Sequence, residues 1–296
     1  MSKGDVSLPF DQYQRYRLVA DLVDRARGDR GALRILDVGG RTGLLAKFLP
    51  QDKIELVDLE PSEVGGLVLG DGSRLPFAAE SFDAVVSFDT LEHVPKRRRR
   101  AFVEESWRVA KSWVIHAGPY QAKRVEEAEA RLRGFLTEKL ELHHRYLEEH
   151  HSHGLPKRQD VESRLRELGG EVVSVGHANI ERWLGLMCLS MYMDRDAPLR
   201  GLAGEVTEEH LTQFFIALGC QVASIRMVPA RAYPPVPAGA YVNLAGGDAE
   251  KVLAINGTKP SFNAGLVLSV RKQDAGISRV VAAVNDIVFS DNRISN

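Results

Sequence analysis

The feature that most constrains the fold is a short segment rich in aliphatic residues, Leu33–Val38, followed at once by a turn that contains three glycines, Gly39–Gly43. The aliphatic residues of this segment predict a strand. The turn leads into a segment from Leu44 to Leu49 with helical character, which Pro50 ends. A strand, a glycine turn and a helix in this order predict the first unit of an α/β fold with a parallel sheet.

The segments that follow alternate between strand and helix patterns. The other predicted strands are Lys53–Asp58, Leu67–Leu69, Ser81–Phe88, Ser112–His116, Glu171–Gly176, Val222–Val228 and Ala264–Arg271. The predicted helices are Asp11–Arg27, Lys96–Ala110, Gln121–His151, Val161–Leu168, Ile180–Met193 and Thr207–Leu218, and the predicted loop is Tyr233–Ala240. Crossovers between parallel strands are right-handed, so we expect a doubly wound, seven-stranded, mostly parallel sheet with helices on both faces.

The composition of the chain argues against several classes of protein. The 296 residues include 39 basic and 40 acidic side chains, so a net charge of −1 gives no attraction to nucleic acid or anionic membranes. The two cysteines, Cys188 and Cys220, form neither a disulfide framework nor a zinc motif. Apolar segments fall short of the ~20 residues of a membrane span, and no signal peptide is recognisable. A cytoplasmic location is predicted, with peripheral membrane contact left open.

Glycines and acids follow three successive predicted strands, at ends that meet along one edge of a parallel sheet. Gly39 and Gly43 let the backbone approach a ligand closely, and the helix behind them offers unpaired N–H groups. Asp58 ends the second strand, where a carboxylate can accept hydrogen bonds from two ribose hydroxyls. Asp71 follows the third strand and could accept a hydrogen bond from an adenine amino group. These positions predict a nucleoside-containing ligand, whereas the missing glycines of G-x-G-x-x-G argue against a nicotinamide dinucleotide.

The same residues carry a family resemblance. Asp37–Gly43 resembles the first motif of the class I S-adenosylmethionine-dependent methyltransferases, although Arg41 stands where the family usually has glycine, and its head would reach the cofactor carboxylate or solvent. Gly70–Phe77, Ser81–Ser87 and Leu91–Pro95 resemble the ubiquinone/menaquinone-type branch, methyltransferase type 11, in the family's order and spacing. The resemblance covers about a third of the chain and implies a Rossmann-like methyltransferase fold with S-adenosyl-L-methionine as cofactor.

The resemblance also implies roles for single residues. The glycines of the turn would flank the methionine part of the cofactor, and Asp37 would orient its amino end. Asp58 would hold the ribose, with Leu59 against the adenine. Asp71 would bind the adenine amino group, with Gly72 beside it. The predicted cofactor-binding residues are therefore Asp37, Gly39, Gly40, Gly43, Asp58, Leu59, Asp71, Gly72 and Phe88, the last as a wall of the pocket.

Methyl transfer from a sulfonium requires in-line positioning and exclusion of water, and positioning supplies ~7–11 kcal/mol of the barrier. A hydroxyl acceptor also benefits from a general base, worth about 10²–10⁴-fold. His93 and His150 are the candidate catalytic residues, although Glu92 and His93 would equally serve to cap the next helix. We expect O-methylation of a small molecule or of a glycan or glycolipid. The candidate acceptor-binding residues are His116, Tyr120 and Glu149.

Two charged segments leave alternatives open. Some metal ligands could come from His143, His150 and His153, but a solvated helix end is the plainer interpretation and no metal site is predicted. This helix and the Gly-Leu-Pro after it loosely resemble methyltransferase domains linked to bacterial surface-glycan assembly. The run Lys96–Arg100 motivates a nucleic-acid methyltransferase, although a solvated helix face is expected. Arg41 motivates a non-catalytic cofactor-binding module that acts through a partner.

The expected organisation places a methyltransferase domain at residues 32–273, after an N-terminal helical extension at 1–31 that packs near the cofactor. Insertions at about 120–156 and 177–240 are expected to build the acceptor pocket, and residues 274–296 to form a C-terminal tail. The expected partner is the small-molecule or glycan acceptor, with no nucleic acid. The sequence predicts neither the identity of that acceptor nor the oligomeric state.

Overall fold

The computed structural model describes residues 10–194, 209, 212, 213, 216, 221–228, 239–244 and 262–271. The helices in this part of the chain are α1 (Phe10–Arg27), α2 (Leu45–Phe48), α3 (Lys96–Val109), α4 (Lys123–Leu140), α5 (Arg145–His153), α6 (Arg158–Glu167) and α7 (Ile180–Asp194). The strands are β1 (Arg34–Val38), β2 (Lys53–Asp58), β3 (Leu67–Leu69), β4 (Phe82–Phe88), β5 (Ala110–Gly118), β6 (Gly170–Asn179), β7 (Val222–Val228), β8 (Gly239–Leu244) and β9 (Phe262–Arg271).

The main sheet has the strand order β3-β2-β1-β4-β5-β9-β6, and β7 pairs with β8 in a separate antiparallel sheet. The first five strands in this order are mutually parallel, whereas β9 runs antiparallel to both β5 and β6. The predicted α/β fold with a parallel sheet is confirmed. Strand β1 has β2 on one side and β4 on the other, so the crevice at the carboxyl ends of β1 and β4 is a topological switch point, where open α/β sheets bind ligands.

Successive residues of the central strands face opposite sides of the sheet, and different helices cover the two sides. Ile35 packs in one apolar cluster with Val19 of α1, whereas Leu36 packs in another with Phe102 of α3. All four side chains are buried, and burial stabilises the fold by about 25 cal/mol per Å² of apolar surface. By the same alternation, Asp37 faces the α1 side at the end of its strand.

Helix α1 lies against the glycine turn, as predicted for the N-terminal helix. The hydroxyl groups of Tyr16 and Thr42 are 3.1 Å apart, and the Tyr16 ring stacks on Phe48 of α2 at 5.9 Å between centroids. A separate apolar cluster joins α4, α5 and α7 and includes Leu132, Leu147 and Leu184. The chain thus places helices from its beginning and its middle around the carboxyl ends of the strands.

The prediction of one continuous helix at Gln121–His151 is wrong, because α4 ends at Leu140 and α5 begins at Arg145. Glu141 adopts the left-handed conformation with φ 54°, and the Leu142 N–H donates to the Leu136 carbonyl at 3.0 Å. This six-to-one hydrogen bond is the usual closure of a helix C-terminus. The break lets α5 change direction and bury Leu147 in the apolar cluster shared with α4 and α7, which brings His150 next to His93.

The other predicted elements agree with the structure to different extents. Strands β2, β3 and β7 occupy the predicted residues, whereas the predicted loop Tyr233–Ala240 is wrong at its end, because β8 begins at Gly239. Most of the predicted helix Thr207–Leu218, residues 229–238 and the predicted tail 274–296 lie outside the described residues. Among the helices described, none combines the length and the apolar character that crossing a membrane requires.

Candidate active site

The turn after β1 is built on glycines for steric reasons. Gly39 has φ 85°, and a Cβ atom there would lie 2.2 Å from Oγ1 of Thr90. Gly43 has φ 63°, and a Cβ on Gly40 would lie 2.4 Å from Cγ of Asp37. The Gly39 N–H donates to the Val57 carbonyl at 2.8 Å, which holds the turn against β2. These predicted cofactor-binding glycines are therefore at the switch point, in conformations and spaces that a side chain would disturb.

Asp37 is a buried acid with one carboxylate oxygen left without a partner in the described part of the chain. Its side chain is 1% exposed, and its Oδ2 atom has no hydrogen-bond partner within the described residues. Burial, and then the negative charge of Asp58, raise the pKa of Asp37 to about 7. A positively charged group beside this carboxyl would remove most of that penalty, because opposite charges favour the ionised form. The ammonium group of a bound amino acid moiety fits this position.

Asp58 and Leu59 follow β2 on the same side of the crevice. The two carboxylate oxygens of Asp58 accept hydrogen bonds from the backbone N–H of Glu60 at 2.9 Å and of Arg41 at 3.4 Å. These contacts hold the carboxylate at the strand end and leave acceptor capacity for ligand hydroxyls. Leu59 is 71% exposed, so its side chain offers an apolar surface at the end of β2. An acid that can accept two hydrogen bonds beside an exposed aliphatic surface fits the ribose and adenine of a nucleoside.

Asp71 and Gly72 lie in the loop after β3. Oδ1 of Asp71 accepts hydrogen bonds from Ser73 N–H at 2.8 Å and Ser73 Oγ at 2.7 Å, and Oδ2 pairs with Arg98 at 2.8 Å. Burial raises the pKa of Asp71, but these hydrogen bonds and the Arg98 charge outweigh it and lower the pKa below its ordinary value. A Cβ on Gly72 would lie 2.3 Å from Phe102, so this glycine allows close packing on α3.

Phe88, predicted as a pocket wall, is buried at the end of β4, with its ring 5.3 Å from the Tyr16 ring. Its backbone carbonyl accepts a hydrogen bond from Thr90 Oγ1 at 2.8 Å. Thr90 also donates to the Val38 carbonyl at 3.3 Å and so ties the ends of β1 and β4 together. Phe88 therefore belongs to the packing between α1 and the sheet, directly beneath the crevice.

An ion-pair bridge links the glycine turn to α5. Arg41 donates from its two terminal nitrogens to Glu60 and to the Tyr146 hydroxyl, both at 2.5 Å. Arg145 pairs with Glu60 at 2.6 Å and with Glu149 at 2.8 Å. Arg41 is not among the described non-glycine residues with positive φ, so it fits this turn without strain. We call these five residues the α5 bridge, and they give the Arg41 head a protein partner.

Glu92, His93 and His150, which we call the imidazole–carboxylate cluster, meet where β4 and β5 end. Nε2 of His93 lies 3.4 Å from Nε2 of His150, which lies 3.9 Å from Oε1 of Glu92. Nδ1 of His150 is 2.9 Å from Oε1 of Glu129, and Nδ1 of His93 is 2.8 Å from Oε2 of Glu149. The structure thus brings together the two candidate catalytic residues and the predicted Glu149.

The electrostatic state of the cluster follows from its burial. Burial, and then the neighbouring His150, lower the pKa of His93 to about 4, so the imidazole is neutral at pH 7. Glu92 is 1% exposed, and neither of its carboxylate oxygens accepts a hydrogen bond within the described residues. Burial and the charge of Asp89 raise the pKa of Glu92 well above its ordinary value. A Cβ on Gly118 would lie 3.0 Å from this carboxylate, so the glycine leaves it space.

A pocket opens beside the cluster, between α1, α4 and the end of β5. Its lining includes Asp11, Arg15, Asp89, Glu129, His150 and Trp183. Arg15 pairs with Asp89 at 2.5 Å and with Asp11 at 3.0 Å. Glu129, which also contacts His150, is the third carboxylate of the lining named here. The carboxylates therefore outnumber the one guanidinium group, that of Arg15. The pocket can accept hydrogen bonds from hydroxyl or amino groups of a ligand.

Two predicted acceptor-binding residues, His116 and Tyr120, lie elsewhere. His116 is 1% exposed, with its ring 5.9 Å from the Phe102 ring and no hydrogen-bond partner for either nitrogen within the described residues. Burial lowers the pKa of His116 to about 4, so it is neutral. Tyr120 is buried in the apolar cluster on the α3 side, where burial and then the charge of Glu92 raise its pKa. Neither side chain lines the pocket beside the cluster.

Sequence reasoning gave Glu92 a capping role and missed Glu129 and Arg15. The N-cap of α3 is Pro95, which has no side-chain capping bond, so Glu92 has another role. An acid directly before His93 at the end of a buried strand was the available signal for Glu92. No local signal marks Glu129, because the helix around it carries many charged residues and only the tertiary fold selects one of them.

Comparison with known sequences identifies the domain. Residues 36–115 match the sequence model of a family described as Methyltransferase domain. The match spans the glycine turn, Asp58, Asp71, Glu92 and His93. Residues 36–115 are therefore similar in sequence to a methyltransferase domain. This confirms the predicted class I, type 11 branch on the segment that contains the cofactor crevice and two of the three residues of the imidazole–carboxylate cluster.

Relatives of the domain are bacterial methyltransferases. An uncharacterized methyltransferase of Mycobacterium sp. strain KMS is 37% identical over 90 residues, which cover 26% of this chain and 36% of that protein. One from Mycolicibacterium vanbaalenii is 29% identical over 124 residues, covering 35% of this chain and 48% of that protein. The chain thus spans between about a third and a half of the length of the curated relatives it matches.

Solved structures with a similar fold include magnesium protoporphyrin IX methyltransferase of Synechocystis PCC 6803 with bound S-adenosylhomocysteine. It is 13% identical with a TM-score of 0.41, covering 91% of this chain and 90% of that chain. The YcgJ protein of Bacillus subtilis is 14% identical with a TM-score of 0.42, covering 86% of this chain and 99% of that chain. At these identities the likeness concerns the fold alone.

Proposed function

We propose that this methyltransferase domain binds S-adenosylmethionine at the carboxyl ends of β1 and β2 and transfers its methyl group to an oxygen of a small-molecule or glycan acceptor. The observation that carries the proposal is Asp37, a buried carboxyl with an oxygen unpartnered among the described residues, beside a turn whose three glycines leave no room for a Cβ atom. A ligand with a cationic amino group supplies the missing partner. The match to a methyltransferase domain over residues 36–115 supports the same ligand class.

The residues of the crevice fit the three parts of the cofactor. Asp37 and the glycine turn would hold the amino acid part. Asp58 would accept hydrogen bonds from the ribose hydroxyls, and the exposed Leu59 would cover one face of the adenine. Asp71 would accept a hydrogen bond from the adenine amino group. Its Oδ2 atom keeps acceptor capacity for this bond in addition to the contact with Arg98.

When bound, the cofactor supplies an electrophilic methyl carbon on a positively charged sulfur. The chain then has to hold the acceptor oxygen in line with that carbon, keep water out and take up the hydroxyl proton. The α5 bridge holds α5 over the glycine turn and so covers the crevice. His93 and His150 stand at the end of β4 beside the pocket, where they serve the acceptor hydroxyl. Neutral His93 can accept a hydrogen bond at pH 7.

The proposed acceptor pocket draws on both predicted insertions. Glu129 and His150 come from the segment at about 120–156, and Ala178 and Trp183 come from the segment at 177–240. Carboxylates that accept hydrogen bonds from hydroxyls, together with one aromatic side chain, suit a polyhydroxylated acceptor such as a sugar. This composition favours a small molecule or glycan over an apolar ligand.

The basic run of α3 gives the nucleic-acid alternative little support. Arg98 pairs with Asp71, Arg100 pairs with Glu104, and Arg99 donates to the carbonyls of Val94, Glu92 and Gly154. These contacts engage three of the five cations of Lys96–Arg100 within the chain. We therefore retain a small-molecule or glycan acceptor, and the fractionated-extract experiment below also detects methylated nucleic acid.

The first test is calorimetric titration of S-adenosylmethionine into the wild-type chain and into Asp58→Ala. Loss of hydrogen bonds to a charged acceptor costs about 1.5–3 kcal/mol, so we expect a Kd about 10- to 100-fold higher. The matched control is Glu55→Ala on the same strand, because Glu55 pairs with Arg34 and Lys53 and lies far from the strand end. An unchanged affinity in Asp58→Ala, or no binding by the wild-type chain, would refute the assigned crevice.

The second test identifies the acceptor. Cofactor labelled in its methyl group is incubated with the chain and fractionated extracts, and the labelled product is analysed by mass spectrometry. We expect label on an oxygen of a small molecule or glycan, and slower labelling by His93→Ala with unchanged cofactor affinity. Label only on nucleic acid would establish the alternative, and tight cofactor binding without any labelled product would point to a non-catalytic module.

A further inference from the structure

In both imidazoles of the imidazole–carboxylate cluster, Nδ1 lies close to a carboxylate. His150 Nδ1 contacts Glu129 and His93 Nδ1 contacts Glu149, at 2.9 and 2.8 Å. A carboxylate accepts hydrogen bonds only, so the contact with Glu129 favours the His150 tautomer with the proton on Nδ1, whereas His93 Nδ1 lies close to Glu149 without hydrogen-bond geometry. In that tautomer Nε2 of His150 carries a lone pair. The two Nε2 atoms nevertheless face each other at 3.4 Å.

Glu92 adds a third acceptor to the same space. One oxygen of its buried side chain is 3.9 Å from Nε2 of His150, and neither oxygen has a donor within the described residues. The ligand-type atoms of Glu92, His93 and His150 all lie within 4.8 Å of one another. Two imidazole nitrogens and a carboxyl oxygen that face one another so closely need a proton or a cation between them.

We propose that Glu92, His93 and His150 bind a divalent transition-metal ion between their facing atoms. Two nitrogens bound to one zinc at ~2.0–2.1 Å in tetrahedral geometry are ~3.3–3.4 Å apart, close to the distance between the two Nε2 atoms. The carboxylate oxygen needs only a small side-chain movement to complete three ligands. These ligands come from the end of β4 and from α5, so the fold itself forms the site.

The surrounding residues match the outer shell of a metal site. Histidines that ligate metals usually donate their other nitrogen to a carboxylate, which fixes the ring and increases its basicity. Glu129 and Glu149 occupy these positions for His150 and His93. Two imidazoles and one carboxylate favour zinc or a similar first-row ion over magnesium, which prefers oxygen ligands. Sequence reasoning instead grouped His143, His150 and His153, of which only His150 belongs to the cluster.

A metal ion with three protein ligands has an open coordination position, which the acceptor hydroxyl can occupy. This role of the metal rests on the proposed function. A hydroxyl bound to the cation loses its proton to solvent more readily, because the metal charge stabilises the alkoxide. The alkoxide oxygen then forms a bond to the methyl carbon, the carbon–sulfur bond breaks with its electron pair on sulfur, and an ether and S-adenosylhomocysteine result. His93 and His150 thereby act on the hydroxyl as metal ligands, with no need to accept its proton.

The site is tested by titrating zinc into tag-free protein that has been stripped with chelator, in the absence of cofactor. We expect one zinc per chain, with affinity reduced about 100-fold or more in Glu92→Gln and His150→Ala. Glu129→Gln, which acts through His150, should weaken zinc binding about 10- to 100-fold. His151→Ala is the matched control, because His151 is exposed on the same helix and should leave zinc affinity unchanged.

Glu92→Gln preserves the size of the side chain, and circular dichroism melting shows whether each variant is folded. Absence of stoichiometric zinc binding by the wild-type chain would overturn the proposal, as would equal affinity in Glu92→Gln, His150→Ala and His151→Ala. Titration of S-adenosylmethionine into the metal-free chain separates the two proposals. Zinc binding without cofactor binding would support the metal site and refute the proposed function. Cofactor binding without zinc binding would refute only the metal site.

Discussion

The two halves of the crevice are built in different ways. The cofactor half, at the ends of β1, β2 and β3, uses residues that are close in sequence, between Asp37 and Gly72, and depends on backbone conformation. The acceptor half, at the ends of β4 and β5, gathers side chains from α1, α4, α5 and α7 and depends on buried charge. The first half is therefore fixed by local sterics, and the second exists only after the whole domain has folded.

The largest effect is expected at Asp37, the one residue of the cofactor half that depends on buried charge. Its folded-state pKa of about 7 lies above the ordinary 3.8, so between these pH values the folded chain holds more protons than the unfolded chain. Stability therefore falls as pH rises through this window, by ~1.4 kcal/mol per unit and about 4 kcal/mol in all. Asp37→Asn should lack this loss, as measured by urea unfolding at pH 5 and pH 8.

Because only the difference between the two proteins is used, other titrating groups cancel in this experiment. Equal pH dependence in wild type and Asp37→Asn would contradict the buried, unpartnered state of the carboxyl. Binding of S-adenosylmethionine gives a second measurement, since its ammonium group favours ionised Asp37. At pH 6, calorimetry in buffers of different ionisation enthalpy should detect proton release with the wild-type chain and none with Asp37→Asn.

The contrast between the halves also explains what the sequence could predict. Strands β2 and β3 and the glycine turn were predicted correctly, because apolar runs and glycines act over a few residues. The break at Glu141 was missed, because helical periodicity continues through it and a glutamate does not signal a left-handed conformation. Glu92, Glu129 and Arg15 were not placed, because only tertiary structure brings their elements together. His116 was predicted to bind the acceptor. Side chains alternate between the two faces of β5, however, and this alternation buries His116 on the α3 side.

The steric basis of the cofactor half is tested by Gly39→Ala, with a smaller expected effect. The new Cβ would meet Thr90 Oγ1 at 2.2 Å, and the backbone has φ 85°, so the free energy of unfolding should fall by about 1–3 kcal/mol. Gly31→Ala is the matched control, since a Cβ there meets nothing within 4 Å. Gly31→Ala should be neutral or slightly stabilising. Equal stability of both variants in urea would show that the turn tolerates a side chain.

The smallest effect is expected where the two halves touch, at the α5 bridge. Tyr146→Phe removes the hydroxyl that accepts a hydrogen bond from Arg41 at 2.5 Å, a contact that is exposed to solvent. Exposed polar contacts of this kind contribute about 0–1 kcal/mol, so cofactor affinity should fall by less than about 5-fold and zinc affinity should not change. A double-mutant cycle with Arg41→Gln measures the coupling directly. A loss of cofactor affinity of about 50-fold would mean that α5 belongs to the cofactor site. The cofactor half would then depend on a helix that is distant in sequence, in addition to the local conformation of the glycine turn.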